Sequence, residues 1–483
     1  MKGIKYIAMG ALLATLPSCS HDWLDVEPET AVQTETSIKL LKDIEFTLNG
    51  TYSLMQDADA YSGTLMYYGD ATGDDMQAVS STKRTGNYYR FNWTKDSNPT
   101  SQWALLYSII TNCNVILNNV DKMDLLESEK EESKDLKGQA FAIRGLAYFD
   151  LMRMYGYPYK KDNGASLGVP IVTSELKYNE KPARSTVADC MEQVISDLKS
   201  ACDLMDPGFK EGKITKWAAM CLLSRAYLYK GDDANAFATA KATIEGAEEE
   251  GYQLWTNKEY PTAWSWAHEV QGETLFTLIN ETTDSPGYES MGYLNSPEGY
   301  DDICLTRTFY NMLKEDPNDV RLKLVNHDEE NEYAYINKYQ PQDKEDISDA
   351  DIPVVRLSEA YLIAAEAAVK LGNNADAVKY LNPIVQRANP ENSVEGETIT
   401  LERVKTEKRK EFVGEGHRMF DALRDGGQIV RTDAESGDVL VETEHFAMLD
   451  EPYDWNNYFV VLPIPTREMK ANPNMKQNPG YGD

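Results

Sequence analysis

Cysteine is scarce in this chain and is not arranged for metal binding. The six cysteines are Cys19, Cys113, Cys190, Cys202, Cys221 and Cys304, with no Cys-x-x-Cys pair and no Cys/His cluster. Cys190 and Cys202 fall on one expected helix, where 202 − 190 = 12 residues of rise separate them by about 18 Å, too far to bridge. With Cys19 set aside, five remain, an odd number for a disulfide framework, and they read as buried thiols. His417 has no second histidine near it, which makes it a poor metal ligand. Positive charge is also in short supply. There are 48 Lys and Arg against 79 Asp and Glu, a net charge of -31. A field of that sign repels phosphate backbones and anionic lipid, so nucleic acid is excluded as a partner. With so many carboxylates, close pairs arise by chance and no catalytic dyad is assignable from spacing. The acidic runs "DDM" (74–76), "DD" (301–302) and "DISDAD" (346–351) lack the calcium-loop spacing with its distal Glu and read as solvated loops. No metal and no cofactor is expected.

Long apolar runs are missing everywhere except at the start, so no permanent membrane-spanning helix is expected. The exception is a leader. Lys2 and Lys5 precede an apolar stretch from Tyr6 to Leu16, too short to span a bilayer and typical of a signal core. Leu16-Pro17-Ser18-Cys19 then looks like a lipobox, in which a small residue precedes an acylated cysteine. The alternative is an ordinary cleaved signal with a chance cysteine. On the lipobox reading, residues 1–18 are removed, Cys19 carries the lipid, and residues 19–36 form an extended tether.

Hydrophobic spacing marks a mainly α chain. Helical segments are expected at 37–55, around Trp103 to Leu117, and over 138–158, stopped by Gly156 and Pro158. Another is expected over 185–205, capped by Ser185 or Thr186. The segment 215–231 is apolar nearly all round and should be central. Gly231 ends it and a second helix follows at once. The same helix–Gly–helix pattern recurs over 357–388 around Gly372, so the scaffold reads as tetratricopeptide-like pairs separated by insertions. Helix returns over 400–427, interrupted near Gly414 and Gly416. Residues 58–99 and 251–353 lack helical period and read as loops with short strands or helices, and 428–483 as an irregular packed tail. Asn114, Trp103 and Trp217 sit on apolar stripes and are expected in the core.

Six blocks, in order, carry a family resemblance: "CSHDWLDVEPET", "QAFAIRGLAYFDLMRMYGYP", "ITKWAAMCLLSRAYLYKGD", "RLSEAYLIAAEAAVKLG", "EKRKEFVGEGHRMFDALRDG" and "VLPIPTREMKANPNMKQNPGY". Together they resemble the SusD/RagB family, surface nutrient-binding lipoproteins of Bacteroidetes. Lys408 departs from the pattern, standing where the family's signature often has Arg. The resemblance implies a single SusD-like domain over 37–483, with helical scaffold at about 37–57, 100–250 and 354–427. It implies no catalysis. It implies capture of a nutrient, typically an oligosaccharide, at the outer face of the outer membrane. It also implies a partner, a SusC-like TonB-dependent barrel. In the signature, Arg418, Asp421 and Arg424 have the spacing of charge pairs along one helical face and read as scaffold.

A pyranose has apolar C–H faces and a rim of hydroxyls, so its site needs aromatic rings edged by Asn, Asp, Arg or Gln, carried on loops. Two regions offer these. The first, 67–98, holds Tyr67, Tyr68, Arg84, Tyr88, Tyr89, Arg90, Asn92, Trp93 and Asn98; the second, 260–300, holds Trp264, Trp266, Tyr288, Tyr293, Asn295 and Tyr300. Trp93 and Trp264 lead as glycan-contact candidates, with local packing the competing role for each aromatic. Two other functions stay open: a surface glycoside hydrolase, and a structural lid of the transporter with no ligand site. Cys19→Ala should release the protein from the membrane fraction; full retention would overturn the anchor.

Overall fold

The computed structural model describes residues 38–482 apart from 98, 178, 267–271, 282, 329–332, 342–345, 432–448 and 450. The leader, Cys19 and the tether to residue 36 lie outside the described residues, as does Asn98.

Helices α1 (Leu41–Met55) and α2 (Thr64–Ala71) lead into β1 (Met76–Ala78) and the one-turn α3 (Gly86–Tyr89). The scaffold continues with α4 (Ser101–Asn119), α5 (Lys130–Tyr155), α6 (Val187–Leu204), α7 (Lys216–Lys230) and α8 (Asp233–Glu249). An insertion carries β2 (Thr274–Leu278), the one-turn α9 (Met291–Leu294), β3 (Ile303–Leu305), α10 (Arg307–Lys314), β4 (Val325–Asp328), β5 (Tyr333–Ile336) and β6 (Ile352–Arg356). Then come α11 (Leu357–Lys370), α12 (Asn374–Ala388), α13 (Leu401–Phe412) and α14 (Arg418–Leu423), with α15 (Thr466–Ala471) in the tail. From α4 to α8 each helix packs on the next, and α8 passes the stack to α11 and α12.

The helix ends follow from local chemistry. The Thr215 hydroxyl accepts the Ala218 N–H at 3.1 Å to start α7, and Gly231, at φ +84°, stops it. Its residues Trp217 to Tyr229 are nearly all buried, as an all-round apolar helix must be. Thr186 caps α6 by accepting the Asp189 N–H at 3.1 Å. Asn373 caps α12 at 3.2 Å. Helix α5 begins at Lys130, well before the expected 138. Its first turns are Lys and Glu without an apolar stripe, paired as Lys130–Glu127 at 2.5 Å and Lys134–Glu131 at 2.6 Å. Trp103 and Trp217 are in the core. Asn114 bridges Val172 O at 2.9 Å and Arg144 at 2.8 Å. Cys113, Cys190, Cys221 and Cys304 are buried and free.

Residues 58–99 are not an open loop. Helix α2 is almost wholly buried, and β1 pairs antiparallel with β3, Met76 opposite Leu305 and Ala78 opposite Ile303. The acidic runs are not solvated either. Asp74 and Asp75 face the signature: Arg418 reaches Asp74 at 2.5 Å and Asp75 at 3.3 Å, rather than pairing along its own helix. Asp421 pairs with Arg424 at 2.9 Å and with Lys408 at 3.0 Å. Asp302, Asp349 and Asp351 are buried. Asp74 and Asp75 looked solvated in sequence because their cationic partners lie far away along the chain, and Asp302 because the backbone N–H groups it accepts from do.

There are two buried ionic clusters, and the first joins insertion to scaffold. Arg356, at the end of β6, meets Glu273 at 2.5 Å, Glu411 at 2.9 Å and Glu415 at 2.7 Å. Arg387 shares Glu273 at 2.9 Å and Glu411 at 2.8 Å, and Lys338 meets Glu415 at 2.6 Å. In the second cluster Glu366 takes Arg424 at 2.6 Å, Lys370 at 2.8 Å and Lys408 at 3.4 Å. Burial alone would raise the Glu366 carboxyl; those three cations outweigh it and bring it down to about 2. A carboxylate depressed in the folded state stabilises above its unfolded pKa and loses that contribution as pH falls through the folded one. The thermal midpoint should therefore drop as pH is lowered from about 4.5 towards 2. Glu366→Gln should cost about 2–4 kcal/mol at neutral pH, by removing a carboxylate shared by three buried cations that keep Asp421 and Asp425, and flatten that acid limb in calorimetry.

Candidate functional site

The loop from Pro286 to Asp302 is folded back on itself by its own backbone. Ser290 caps α9, Tyr300 N–H donates to Tyr293 O at 2.8 Å, and Asp302 N–H donates to Leu294 O at 3.0 Å. Gly292 lets α9 lie against the turn at Ile347: a Cβ there would stand 1.9 Å from Ile347 O. The loop is also tied to the first aromatic region. Buried Asp302 accepts the N–H of Arg84 at 3.0 Å and of Thr85 at 2.8 Å, and the Thr85 hydroxyl. Lys83 donates to Tyr300 O, and Tyr335 donates to the Asp301 carboxylate.

This folding gathers three tyrosines. Tyr288 and Tyr293 meet edge to face, centroids 5.0 Å apart at 78°. Tyr300 stands 6.3 Å from Tyr288 at 71° and 5.9 Å from Tyr293 at 51°. Tyr288 is 64% exposed and the other two are half-buried. The rings are mutually inclined, so they form an angled cup and not a flat shelf. Arg84 closes one side. Its guanidinium lies 4.0 Å from the Tyr300 ring centroid and makes a two-pronged contact with Glu289 through Nε and Nη2. That contact, with Glu289 first among its causes, holds the Arg84 pKa above the usual guanidinium value. Apolar ring faces rimmed by charged and carbonyl groups match what a pyranose offers.

The structure thus brings Arg84, Tyr288, Tyr293 and Tyr300 together from two distant regions. It sends the other candidates elsewhere. Trp93 is 3% exposed and donates its indole N–H to Tyr481 Oη at 2.7 Å, clamping the tail to the fold. Trp264 is 1% exposed, packed on Trp255 at 5.2 Å, with Arg356 and Lys338 each 5.0 Å from its ring. Neither leading tryptophan can touch a ligand in this arrangement. Trp93 sits on irregular backbone and Trp264 on a short 3-10 turn, in segments that have few aliphatic residues and use large rings to fill the interior. Tyr68 packs on Tyr88 at 5.8 Å and on Phe420 at 5.7 Å. Tyr67 is buried too, and Tyr89 lies under Arg431, 3.9 Å from its ring. Arg90 serves its own turn, on Gly86 O and Asn87. Exposed Asn92 also reaches Asn87. Asn295 is buried and bonds Met291 O at 3.0 Å. Trp266 ends the 3-10 turn Ala263–Trp266, and its side chain is outside what the structure describes. Glu289 and Lys83 were not singled out in the sequence, and Asp301 was read only as part of a solvated acidic run. No local signal marks them, because their roles come from contacts with Arg84, Tyr300 and Tyr335.

A cavity of about 160 Å3 lies within the signature segment. The cations that line it are already paired: Arg409 with Asp75, Arg418 with Asp74, Lys408 with Asp421 and Arg424 with Glu366. His417, also on its wall, stacks on Phe412 at 4.8 Å, and burial drives its pKa well down. This is internal scaffold. No group of metal-ligating side chains occurs among the described residues.

Comparison with known proteins follows the same lines. A family model described as "SusD family" matches residues 233–481, and one described as "Starch-binding associating with outer membrane" matches 22–228. A crystallised protein of Bacteroides vulgatus ATCC 8482 is 62% identical, covering 92% of this chain and 100% of its own, with a TM-score of 0.89. A SusD superfamily protein from the same organism is 37% identical over the same shares, with a TM-score of 0.86. SusD-like protein P25 of Formosa agariphila is 23% identical over 94% of each chain. No helix among the described residues is long and apolar enough to cross a membrane. The chain belongs to the SusD family.

Proposed function

We propose that this protein captures an oligosaccharide at the cell surface and passes it to a SusC-like TonB-dependent barrel in the outer membrane. It would be held there by a lipid on Cys19. The observation that carries the ligand part is the tyrosine cup with Tyr288 exposed at its edge, built from two loop regions and fixed by buried Asp302. The starch-binding, outer-membrane description of the matching family model supports the same reading. So does the sugar-binding designation of the 62% identical Bacteroides vulgatus protein. The transporter partner and the outward-facing location rest on family membership.

The role is capture and not turnover. The nearest carboxylates are committed: Glu289 to Arg84, Asp302 to backbone N–H groups, and Asp301 to the Tyr335 hydroxyl. A glycosidase needs a carboxyl free to donate a proton, with a second one across the scissile bond.

Titration calorimetry against a panel of oligosaccharides tests the reading. Tyr288→Ala and Tyr293→Ala should each weaken the best ligand by about tenfold, roughly 1.4 kcal/mol, while leaving the thermal midpoint near that of the parent. Trp93→Ala should do the reverse, lowering stability by about 3–5 kcal/mol with far less effect on affinity per folded molecule. Unchanged affinity in both tyrosine variants would move the site elsewhere, and product release from the bound glycan would favour the hydrolase.

A further inference from the structure

We infer that Glu289 sets the class of ligand this site accepts: by holding Arg84 it withholds the cup's cationic charge, so the cup takes neutral oligosaccharides and turns away uronate- or sulfate-bearing ones. The inference rests on the glycan-binding reading above and adds the charge of the ligand to it.

The argument is a charge inventory of the cup's surroundings. Among the described residues, Arg84 and Lys83 are the cations that contact the tyrosines, and both are engaged. Arg84 is gripped by both oxygens of Glu289 and stands 4.0 Å from the Tyr300 ring centroid. Lys83 is turned to Tyr300 O and stands 3.8 Å from Asp301. Carboxylates surround them. Glu289 is half-exposed at the rim. Asp301 is half-buried, and that burial raises its pKa. Asp59 feels the charge of Glu289, and Tyr293 that of Asp346. Asp302 is buried just beneath. An incoming carboxylate or sulfate would meet paired cations and several anions, with the whole chain's charge of -31 behind them. A neutral sugar meets no such barrier. It can place a C–H face on Tyr288 and give hydroxyls to the outer lone pairs of Glu289 and Asp301.

The geometry also isolates the deciding residue. Arg84 is a natural partner for a carboxylate, because its planar fork binds two oxygens at once. Glu289 already occupies that fork, so it is a positioning residue: it acts on the ligand through Arg84. Both side chains are at the surface, with side-chain exposure of 35% and 46%, so changing Glu289 does not disturb the core.

The test uses malto-, cello-, laminari- and manno-hexaose, each beside its counterpart with the C6 hydroxymethyl groups oxidised to carboxylates. Titrating each pair separates charge from backbone shape. The parent protein should bind at least one neutral hexasaccharide about tenfold tighter than its oxidised form, with the gap widening as salt falls from about 150 mM to about 20 mM. Glu289→Gln keeps the shape but frees the guanidinium, and should narrow that gap by about threefold or more at low salt. The double variant Arg84→Ala/Glu289→Gln should restore part of it. Oxidised forms binding the parent as tightly as neutral ones would overturn the inference and leave the capture role standing, as would a gap unchanged by Glu289→Gln. Failure of every hexasaccharide in both forms would overturn the inference and the glycan reading together.

Discussion

A buried arginine organises this fold. Arg356 ends the last strand of the insertion and places its guanidinium among Glu273, Glu411 and Glu415. Glu273 precedes β2, which pairs with β6. Glu411 lies on α13, and Arg387 on α12 closes the circuit through both Glu273 and Glu411. Arg321 extends it to Glu407 at 2.7 Å. The partners are shared, so removing any one member would unbalance the buried charges that remain and the members are energetically coupled. Such a cluster is a poor source of raw stability compared with apolar packing, but it fixes orientation, because charges tolerate few arrangements in a dry interior. Here it fixes how the loop-rich insertion sits on the helical stack. Trp264 forms part of its roof.

The candidate site stands outside that core, on a second tier of buried carboxylates. Asp75 and Asp74 bind Arg409 and Arg418 and so hold β1 to the signature helices. Strand β1 pairs with β3, and Asp302, just before β3, captures the backbone of Arg84 and Thr85. Each step passes rigidity outward, until the tyrosines are the first side chains with freedom to meet a ligand. A binding surface carried on loops needs such support, since main-chain drift in the loop would misplace every ring at once.

Much of the scaffold was legible in the sequence. The glycines at 231 and 372 marked helix breaks that the structure shows at φ +84° and +73°. The all-round apolar stretch became the buried α7, and five thiols stayed unpaired. The loop regions were legible only as composition. Aromatics were plentiful in both, but composition does not say which rings fill the interior beneath an irregular backbone and which remain outside. Trp93 and Trp264, two of the largest, went inside. Tyr288, Tyr293 and Tyr300 went outside because a short capped helix and backbone hydrogen bonds wrap the loop tightly about itself. Glu289 carried no signal at all, as its partner is 205 residues away. For the same reason Asp74, Asp75 and Asp302 looked like solvated loop residues. Long-range charge pairing is invisible to spacing rules that see one helical turn.

The central claim is that the tyrosine cup, and neither of the leading tryptophans, receives the sugar. A crystal structure of the protein with its best-binding hexasaccharide measures this directly. The account predicts pyranose rings against Tyr288 and Tyr293, Arg84 still clasped by Glu289, and Trp93 and Trp264 unmoved in the core. A sugar chain seated away from Tyr288, or one that draws Trp93 or Trp264 out to meet it, would contradict the account.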